Sequence, residues 1–372
     1  MMSTITNTRL LSDKGNVGNT RIDRVEQSLE LQPGEVLLAI DTFAITTNNI
    51  TYAGFGESMR YWDFFPTQVE GWGHMPVWGF ATVHSSNAEG IAVGERFYGY
   101  YPIASYLKVT AGRVNEQGFK EISEHRQELP FTYNTYVRLP QPAKLTPELE
   151  DADMLMRPLF YTSYMLADFL QDNNYFGAKK VLFSSASSKT AYGTAYSGRQ
   201  MGEHPEFIGI TSKRNQAFVD SSGMYDSSVT YDELNNLPTD EPTIYVDFSG
   251  SNSLRLQIHQ HFGEQLKYDC YAGSATNTDY YNGEEKLNPE PVPYFAPVQI
   301  RKRIQDWGME ELNRRYETTQ AQFLAELIDP QTGWMTLTPG YGFGDAARIT
   351  RTLFMTGDQP SLGRVIRFDT YL

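Results

Sequence analysis

Three textures of apolar and polar positions follow one another along the chain. Over roughly the first 145 residues, short apolar runs are broken by Gly and Pro: GEVLLAIDTFAIT from Gly34, VWGFATVHSS from Val77 and ERFYGYYPIASYLKVT from Glu95. This spacing predicts a compact, β-rich, barrel-like unit. In LTPELEDADMLMRPLFYTSYMLADFL, acidic residues lead and apolar residues recur at helical spacing, which predicts a helical connection. From Lys179 strand-like and helix-like stretches alternate: VLFSSA, KTAYGTAYSGRQM, FIGITS, NQAFVDSSGMY, TIYVDFSG, SLRLQIHQHFGEQL, YDCYAGSA. Such alternation predicts parallel strands with crossover helices, a doubly wound α/β domain. Pro289, Pro291, Pro293 and Pro297 mark residues 279–300 as an extended loop. A helix over IRKRIQDWGMEELNRRYETTQAQFLAEL and a closing strand GRVIRF follow. The expected division is residues 1–147 with 320–372 in one domain and 148–319 in the other.

A chain of 372 residues suits two domains and a sizeable core. With 24 Tyr and 21 Phe among 40% hydrophobic residues, the composition is that of a globular protein with amphipathic clefts rather than a disordered one. No apolar run reaches the length of a membrane span, and MMSTITNTRLLSDKGN lacks the apolar centre of a signal peptide, so cytoplasm is the expected location. The formal charge of -14 argues against nucleic-acid and anionic-membrane partners. Cys270 is the single cysteine, which excludes an intramolecular disulfide and a cysteine-based zinc cluster. His259 and His261 lie two apart in an expected helix and so point away from each other, against a metal pair.

The stretch KKVLFSSASSKTAYGTAY, from Lys179, reads as a strand entering a helix through a polar turn. In a dinucleotide-binding fold this turn is glycine-rich, and pyrophosphate rests on the N–H groups of the following helix. Here Ser185, Ser188 and Ala191 stand at the three glycine positions. Serine at the first two restricts the turn, while the hydroxyls, with Lys189 and Thr190, offer side-chain donors to phosphate oxygens. The rival GxxxxGK[ST] loop would need glycine at Phe183 and Ser188. At the end of the second strand, GITSKRNQ puts Ser212, Lys213 and Arg214 where an NAD-binding domain carries a carboxylate for the ribose. A hydroxyl and two cations there favour the 2′-phosphate of NADPH, against the plain alternative of a solvated basic turn. Ser249 and Gly250 in VDFSGS end a strand at the carboxyl edge of the sheet, where such folds place ligands.

The order of these motifs resembles the medium-chain dehydrogenase/reductase superfamily, in particular its zinc-free quinone and enoyl reductases. PGEVLLAIDTFAITTNNITYAG is similar to the N-terminal catalytic segment, VGERFYGYYPIASYLKV to the segment that closes the barrel, FYTSYMLADF to the helix before the cofactor domain, VDFSGS and YAGSAT to later strand ends, and LGRVIRF to the final strand. NNITYAG, YWDFFP and YFAPVQIRKRIQDWG together resemble a bacterial family known only as a domain of unknown function. The resemblance implies a GroES-like barrel domain beside a Rossmann-type sheet, NADPH as cofactor, and a small-molecule substrate handled by a homodimer.

Zinc-binding members carry a Gly-His-Glu, whereas GHMPVWGF has no such glutamate, so His74 is not expected to ligate a catalytic zinc. Tyr52 follows Asn48 and Asn49 in the segment that faces nicotinamide in zinc-free relatives, and its phenol would donate to the developing oxyanion. Packing explains a tyrosine equally well, and Asn48 suits either substrate orientation or a turn. Thr162 matches a threonine that approaches the nicotinamide in relatives. The aromatic run MRYWDFFP reads as core in preference to a substrate lining, and Arg301, Lys302 and Arg303 as a solvated helix face. The leading expectation is a zinc-free NADPH-dependent reductase of a carbonyl or activated alkene. A catalytically inactive protein that senses NADPH or binds a small molecule on the same fold is the alternative.

Overall fold

The structure, a computed structural model, describes residues 3–273 and 286–368. They form two compact units. The first contains residues up to Leu155 together with Thr336–Asp358 and the chain from Leu362; the second contains Met156–Met335 with Gln359–Ser361. The boundaries expected at 148 and 320 therefore move. Phe323 stacks on Phe160 at a centroid distance of 4.2 Å and meets Tyr196 edge-on at 5.0 Å, which holds residues 320–335 in the second unit.

The first unit opens with an antiparallel ribbon, β1 (Thr4–Asp13) and β2 (Asn16–Ser28). Strand β3 (Glu35–Ile45) leads into helix α1 (Thr47–Gly54), the short β4 (Trp72–Gly73), then β5 (Pro76–Ser86), β6 (Arg96–Pro102), β7 (Tyr106–Asn115), β8 (Gly118–Glu121) and β9 (Thr135–Arg138). The single run ERFYGYYPIASYLKVT thus contains two strands, turned at residues 103–105. β3 pairs with β5 on one side and β7 on the other, and β6, β9 and β8 complete the ring. This closes a six-stranded barrel, the GroES-like unit expected, whose strands satisfy their hydrogen bonds without a free edge. Leu38, Ile40, Val77, Ala81, Phe97, Val109, Phe119 and Tyr136 fill its core. Gly118 is required at its position: φ is +142°, and a Cβ would stand 1.9 Å from the Tyr136 carbonyl oxygen.

Helix α2 (Pro147–Asp172) opens with Glu148 and Glu150, which suit a helix N-terminus. The second unit continues through β10 (Lys180–Phe183), α3 (Lys189–Gln200), β11 (Glu206–Thr211), α4 (Gln216–Ser221), β12 (Ser227–Thr230), β13 (Thr243–Asp247), α5 (Asn252–Phe262), β14 (Leu266–Tyr271), β15 (Val292–Pro293), α6 (Ala296–Trp307) and α7 (Met309–Leu327). The sheet order is β12-β11-β10-β13-β14-β15, and every pairing is parallel. Order reverses between β10 and β13, so the carboxyl ends of these strands form the switch point of a doubly wound sheet. Ile208 and Ile210 pack with Leu254, Ile258 and Phe262 of α5. Their neighbour Phe207 points the other way, against Gly198 of α3, where a Cβ would lie 2.9 Å from its ring.

The helix expected over NQAFVDSSGMY is shorter than its pattern. A 3₁₀ turn, Lys213–Asn215, precedes the six residues of α4, and Gly223 at φ +68° follows. The long basic helix is two, divided at Gly308 with φ +84°. Of YAGSAT, Tyr271 ends β14 and the residues from 274 lie outside the described residues, as does the first part of the expected loop up to 285. The last part of the chain returns to the first unit as β16 (Thr336–Tyr341), α8 (Gly342–Thr356) and β17 (Leu362–Arg367). β17 pairs antiparallel with β3, and Ala346, Ile349, Leu353 and Ile366 join the barrel core.

Candidate functional site

At the carboxyl ends of β10 and β13 lies a cavity of about 370 Å³, lined by Ser185, Tyr231, Ser249, Ser251, Ser253, Leu254 and Gln257. Five of these seven side chains carry hydroxyls, a lining suited to a ligand rich in phosphate or ribose oxygens. Ser185 holds φ at +47°, the left-handed backbone that the glycine of a dinucleotide turn supplies without strain. Its amide donates to the Tyr231 hydroxyl at 3.2 Å. Ser188 caps α3, its hydroxyl oxygen accepting from the Ala191 amide at 3.3 Å, while Ala191 is fully buried. Lys189 and Thr190 form the first turn of α3, and the Thr190 carbonyl accepts from Ser163 of α2 at 2.9 Å. Thr162, next to Ser163, is half-buried on the same helix.

Beneath the cavity sits a buried polar hub that the sequence reading missed. Asp247 Oδ1 accepts from the hydroxyls of Ser184 (2.8 Å), Tyr245 (2.9 Å) and Ser249 (2.8 Å) and from the amides of Ser249 (2.8 Å) and Gly250 (3.1 Å). Gly250 takes φ +67°, which lets its amide turn back to the carboxylate. The Ser184 hydroxyl oxygen in turn accepts from the Phe248 and Ser249 amides. Arg255 of α5 pairs with Asp247 Oδ2 at 2.7 Å and Asp269 Oδ2 at 2.9 Å, and His259 meets Asp269 at 2.9 Å. One carboxylate thus ties the turn after β10 to the turn after β13. Asp in a strand followed by a Ser-Gly turn was the available signal, but nothing local distinguished it from any other strand-end acid.

At the end of β11, Ser212 is half-buried, while Lys213 and Arg214 are exposed in the 3₁₀ turn. Lys213 is close enough to Glu233 to help hold that carboxyl below its usual range, an effect led by hydrogen bonds from the Thr230 hydroxyl and amide. Asn215 donates to the Ser187 hydroxyl at 3.0 Å, joining this turn to the one after β10. The structure therefore brings Ser185, Ser188, Lys189, Thr190, Ser249 and Gly250 to one edge of the sheet with the basic turn on the neighbouring strand. His259 and His261 diverge as expected, His261 bonding the Leu237 carbonyl. Arg303 departs from the expected solvated face: it is buried, pairs with Asp168 at 2.7 Å, and Lys302 pairs with Asp172 and Asp306.

In the first unit, Tyr52 stands on α1 among Tyr61, Phe64, Phe65 and Tyr100, all buried. The run around Tyr61 is core, as expected; its flanking Met59 is exposed. Asn49 is structural: its Oδ1 accepts from the Thr46 amide at 2.7 Å to cap α1, and its Nδ2 donates to the Pro76 carbonyl at 2.9 Å. Asn48, half-buried, reaches the Tyr52 hydroxyl. Trp78 Nε1 also donates to that hydroxyl, at 3.3 Å. Burial pushes the Tyr52 phenol up to about 12, more than the hydrogen bonds from Trp78, Asn48 and Tyr133 bring it down, so it carries its proton at neutral pH. His74 is buried, and desolvation drives its imidazole down to about 3, leaving it neutral. Among the described residues no three His, Cys, Asp or Glu side chains gather as a metal site.

A sequence profile of the family described as "Protein of unknown function (DUF2855)" matches residues 43–356. The chain belongs to that family. No curated protein matches the chain by sequence. Among solved structures, CurA from Vibrio vulnificus in complex with NADPH is similar with a TM-score of 0.60 at 12% identity, over 98% of this chain and 99% of that one. The quinone oxidoreductase from Coxiella burnetii gives 0.54 at 13% identity over 98% and 99%, and the YhdH oxidoreductase from Salmonella enterica in complex with NADP gives 0.53 at 13% over 98% and 100%. The fold is that of the medium-chain dehydrogenase/reductase superfamily, a barrel unit with a doubly wound parallel sheet.

Proposed function

We propose that the protein is an NADPH-dependent, zinc-free oxidoreductase that delivers hydride to a carbonyl or activated alkene of a small, apolar substrate. The observation that carries this reading is the hydroxyl-lined cavity at the switch point of the sheet. Ser185 and Ser249, with Tyr231 and Ser251, would hold phosphate and ribose oxygens, assisted by Lys189 and Thr190 at the head of α3. Ser212, Lys213 and Arg214 would meet the 2′-phosphate, and Thr162 the nicotinamide half. The cofactor supplies hydride; the protein aligns it and offers a donor where negative charge develops. Tyr52 is that donor, since a phenol held protonated by burial gives up its proton only to a stronger base, and Asn48 orients it. The reading includes a cytoplasmic homodimer, and the exposed Val292 of the outer strand and Phe295 at the head of α6 would be covered in it.

One observation favours a second reading, a protein that senses NADPH or binds a small molecule without turnover: the Ser185 amide, which a bound phosphate would use, is already engaged by Tyr231. Fluorescence titration separates these cases. Under the first reading NADPH binds at least tenfold more tightly than NADH, and Arg214→Ala removes most of that difference. Equal affinity for the two cofactors ends the 2′-phosphate argument. Tight NADPH binding without oxidation by any quinone, enal or enone supports the second reading.

A further inference from the structure

A glycine-rich turn offers its amide bare to a phosphate, whereas here the Ser185 amide donates to the Tyr231 hydroxyl at 3.2 Å. A backbone N–H only donates, so the Tyr231 oxygen is the acceptor and the phenol keeps its own proton for another partner. Among the described residues its other polar neighbour is the Ser185 hydroxyl at 3.4 Å, a loose contact for two hydroxyls, and both side chains line the cavity. Ser249, beside them, has already given its proton to Asp247 at 2.8 Å. Tyr231 is also held in place. It opens a 3₁₀ turn, Tyr231–Asn236, which the Thr230 hydroxyl and amide close with bonds of 2.8 and 3.1 Å to Glu233. Its side chain packs against the core of Leu182, Ile208 and Leu254. A second tyrosine, Tyr225, holds the same turn by donating to the Ala186 carbonyl at 2.8 Å, and it is not among the residues that line the cavity.

We propose that Tyr231 is the specificity-determining phosphate donor of this site, taking the place of the bare amide of a glycine-rich turn and giving its own O–H to a 5′-phosphate oxygen of the ligand. The proposal rests on the NADPH reading for the identity of that ligand. Because the phenol is fixed between backbone and cavity, an incoming phosphate oxygen meets it before the amide. The amide is then not lost to binding: its donation polarises the phenol O–H, which makes that hydroxyl a better donor to an anion. Serine at the first glycine position is tolerated for the same reason. The phosphate sits one hydroxyl further from the backbone, where the Ser185 Cβ does not crowd it.

Calorimetric titration with three ligands tests this: NADPH, adenosine 2′,5′-bisphosphate, which keeps a 5′-phosphate, and adenosine 2′-monophosphate, which has none. Tyr231→Phe leaves a ring that still bars a phosphate oxygen from the Ser185 amide. It should weaken the first two ligands at least tenfold, as expected for a lost hydrogen bond to a charged group, and leave the third within about twofold. A structural role for Tyr231 weakens all three alike, and a blocking role makes Tyr231→Phe bind NADPH more tightly; either result overturns the proposal. Tyr231→4-fluorophenylalanine, which keeps a weak acceptor for the amide but has no proton to give, should show the same loss and decides the matter if Tyr231→Phe does not fold. Tyr225→Phe, which loosens the same turn away from the cavity, is the control, and a loss there equal to that of Tyr231→Phe also overturns the proposal. If the unaltered protein binds no NADPH, the NADPH reading fails and inorganic pyrophosphate decides the role of Tyr231. The unaltered protein should then bind pyrophosphate at least tenfold more tightly than Tyr231→Phe, and equal or absent binding overturns the proposal.

Discussion

Arg255→Met should be among the most damaging single substitutions in the second unit. Arg255 is 1% exposed and stands between two carboxylates that are 0% exposed, bonding Asp247 at 2.7 Å and Asp269 at 2.9 Å. Methionine matches the aliphatic stem but leaves both carboxylates without the guanidinium. Removing one partner of a buried ion pair typically costs about 3–5 kcal/mol, because the remaining charge stays desolvated. Asp247 keeps its hydroxyl and amide donors, whereas Asp269 keeps His259, so the loss falls chiefly on Asp269. Two variants sharpen the test. Arg255→Lys restores the charge but not the fork that spans both acids, and should lose about 1–3 kcal/mol. Arg255→Met combined with Asp269→Asn should recover part of the loss, giving a coupling well above the ~0.5 kcal/mol of independent sites. Urea unfolding followed by circular dichroism gives the midpoints, and NADPH titration of the folded variants reports whether the Ser249–Gly250 turn is still held. A loss under about 1 kcal/mol for Arg255→Met, or additivity in the double variant, would refute the account of Asp247 and Asp269 as a charge-dependent hub.

His74 sets a pH dependence of known sign. Its imidazole is held at about 3 in the fold against 6.5 when unfolded, so between these values the unfolded chain binds the extra proton and stability falls as pH falls. At full slope this is about 1.4 kcal/mol per pH unit, so the stability difference between the natural protein and His74→Gln should narrow by about 2 kcal/mol from pH 7 to pH 5; parallel curves would contradict it. Ser185→Gly removes about 1–2 kcal/mol of left-handed strain and adds about 0.5–1 kcal/mol of chain entropy cost, so a net gain of about 0.5 kcal/mol is expected in thermal unfolding, with weaker NADPH binding as the hydroxyl is lost. A loss of stability would mean that the Ser185 side chain matters more than its backbone.

Much of this fold was legible because its signals are periodic. Short, largely apolar runs such as VLF in β10 and TIYV in β13, each followed by a helix-compatible stretch, have little alternative to buried parallel strands. The dimensions of helices were less legible where single residues act through backbone freedom: Gly308 divides one expected helix into two, and Gly223 follows a helix shortened to six residues. The polar turn at Ser185 was readable as a site position because strand, turn and helix are contiguous. Tyr231, Asp247 and Arg255 were not, since the partners that place them at the site (Ser185, Ser184 and Asp247 in turn) lie 8 to 63 residues away and a buried charge looks in sequence like a surface one. The Tyr52 neighbourhood was half legible. The segment pointed to the phenol, while Tyr133 and Trp78 reach it only through barrel pairing.

The return of the chain to the first unit shapes how the protein must be made. β3 is synthesised early, yet one of its partners, β17, is encoded more than 300 residues later, and Ile366 shares a core with Phe43. During synthesis at roughly 5–20 residues per second, that apolar surface would wait tens of seconds for its cover. The second unit, whose sheet strands all lie between Lys180 and Pro293, can mature in the meantime. The barrel's slowest contact is therefore set by translation itself, and a ribosome stalled before residue 336 would display an incomplete, chaperone-attracting first unit.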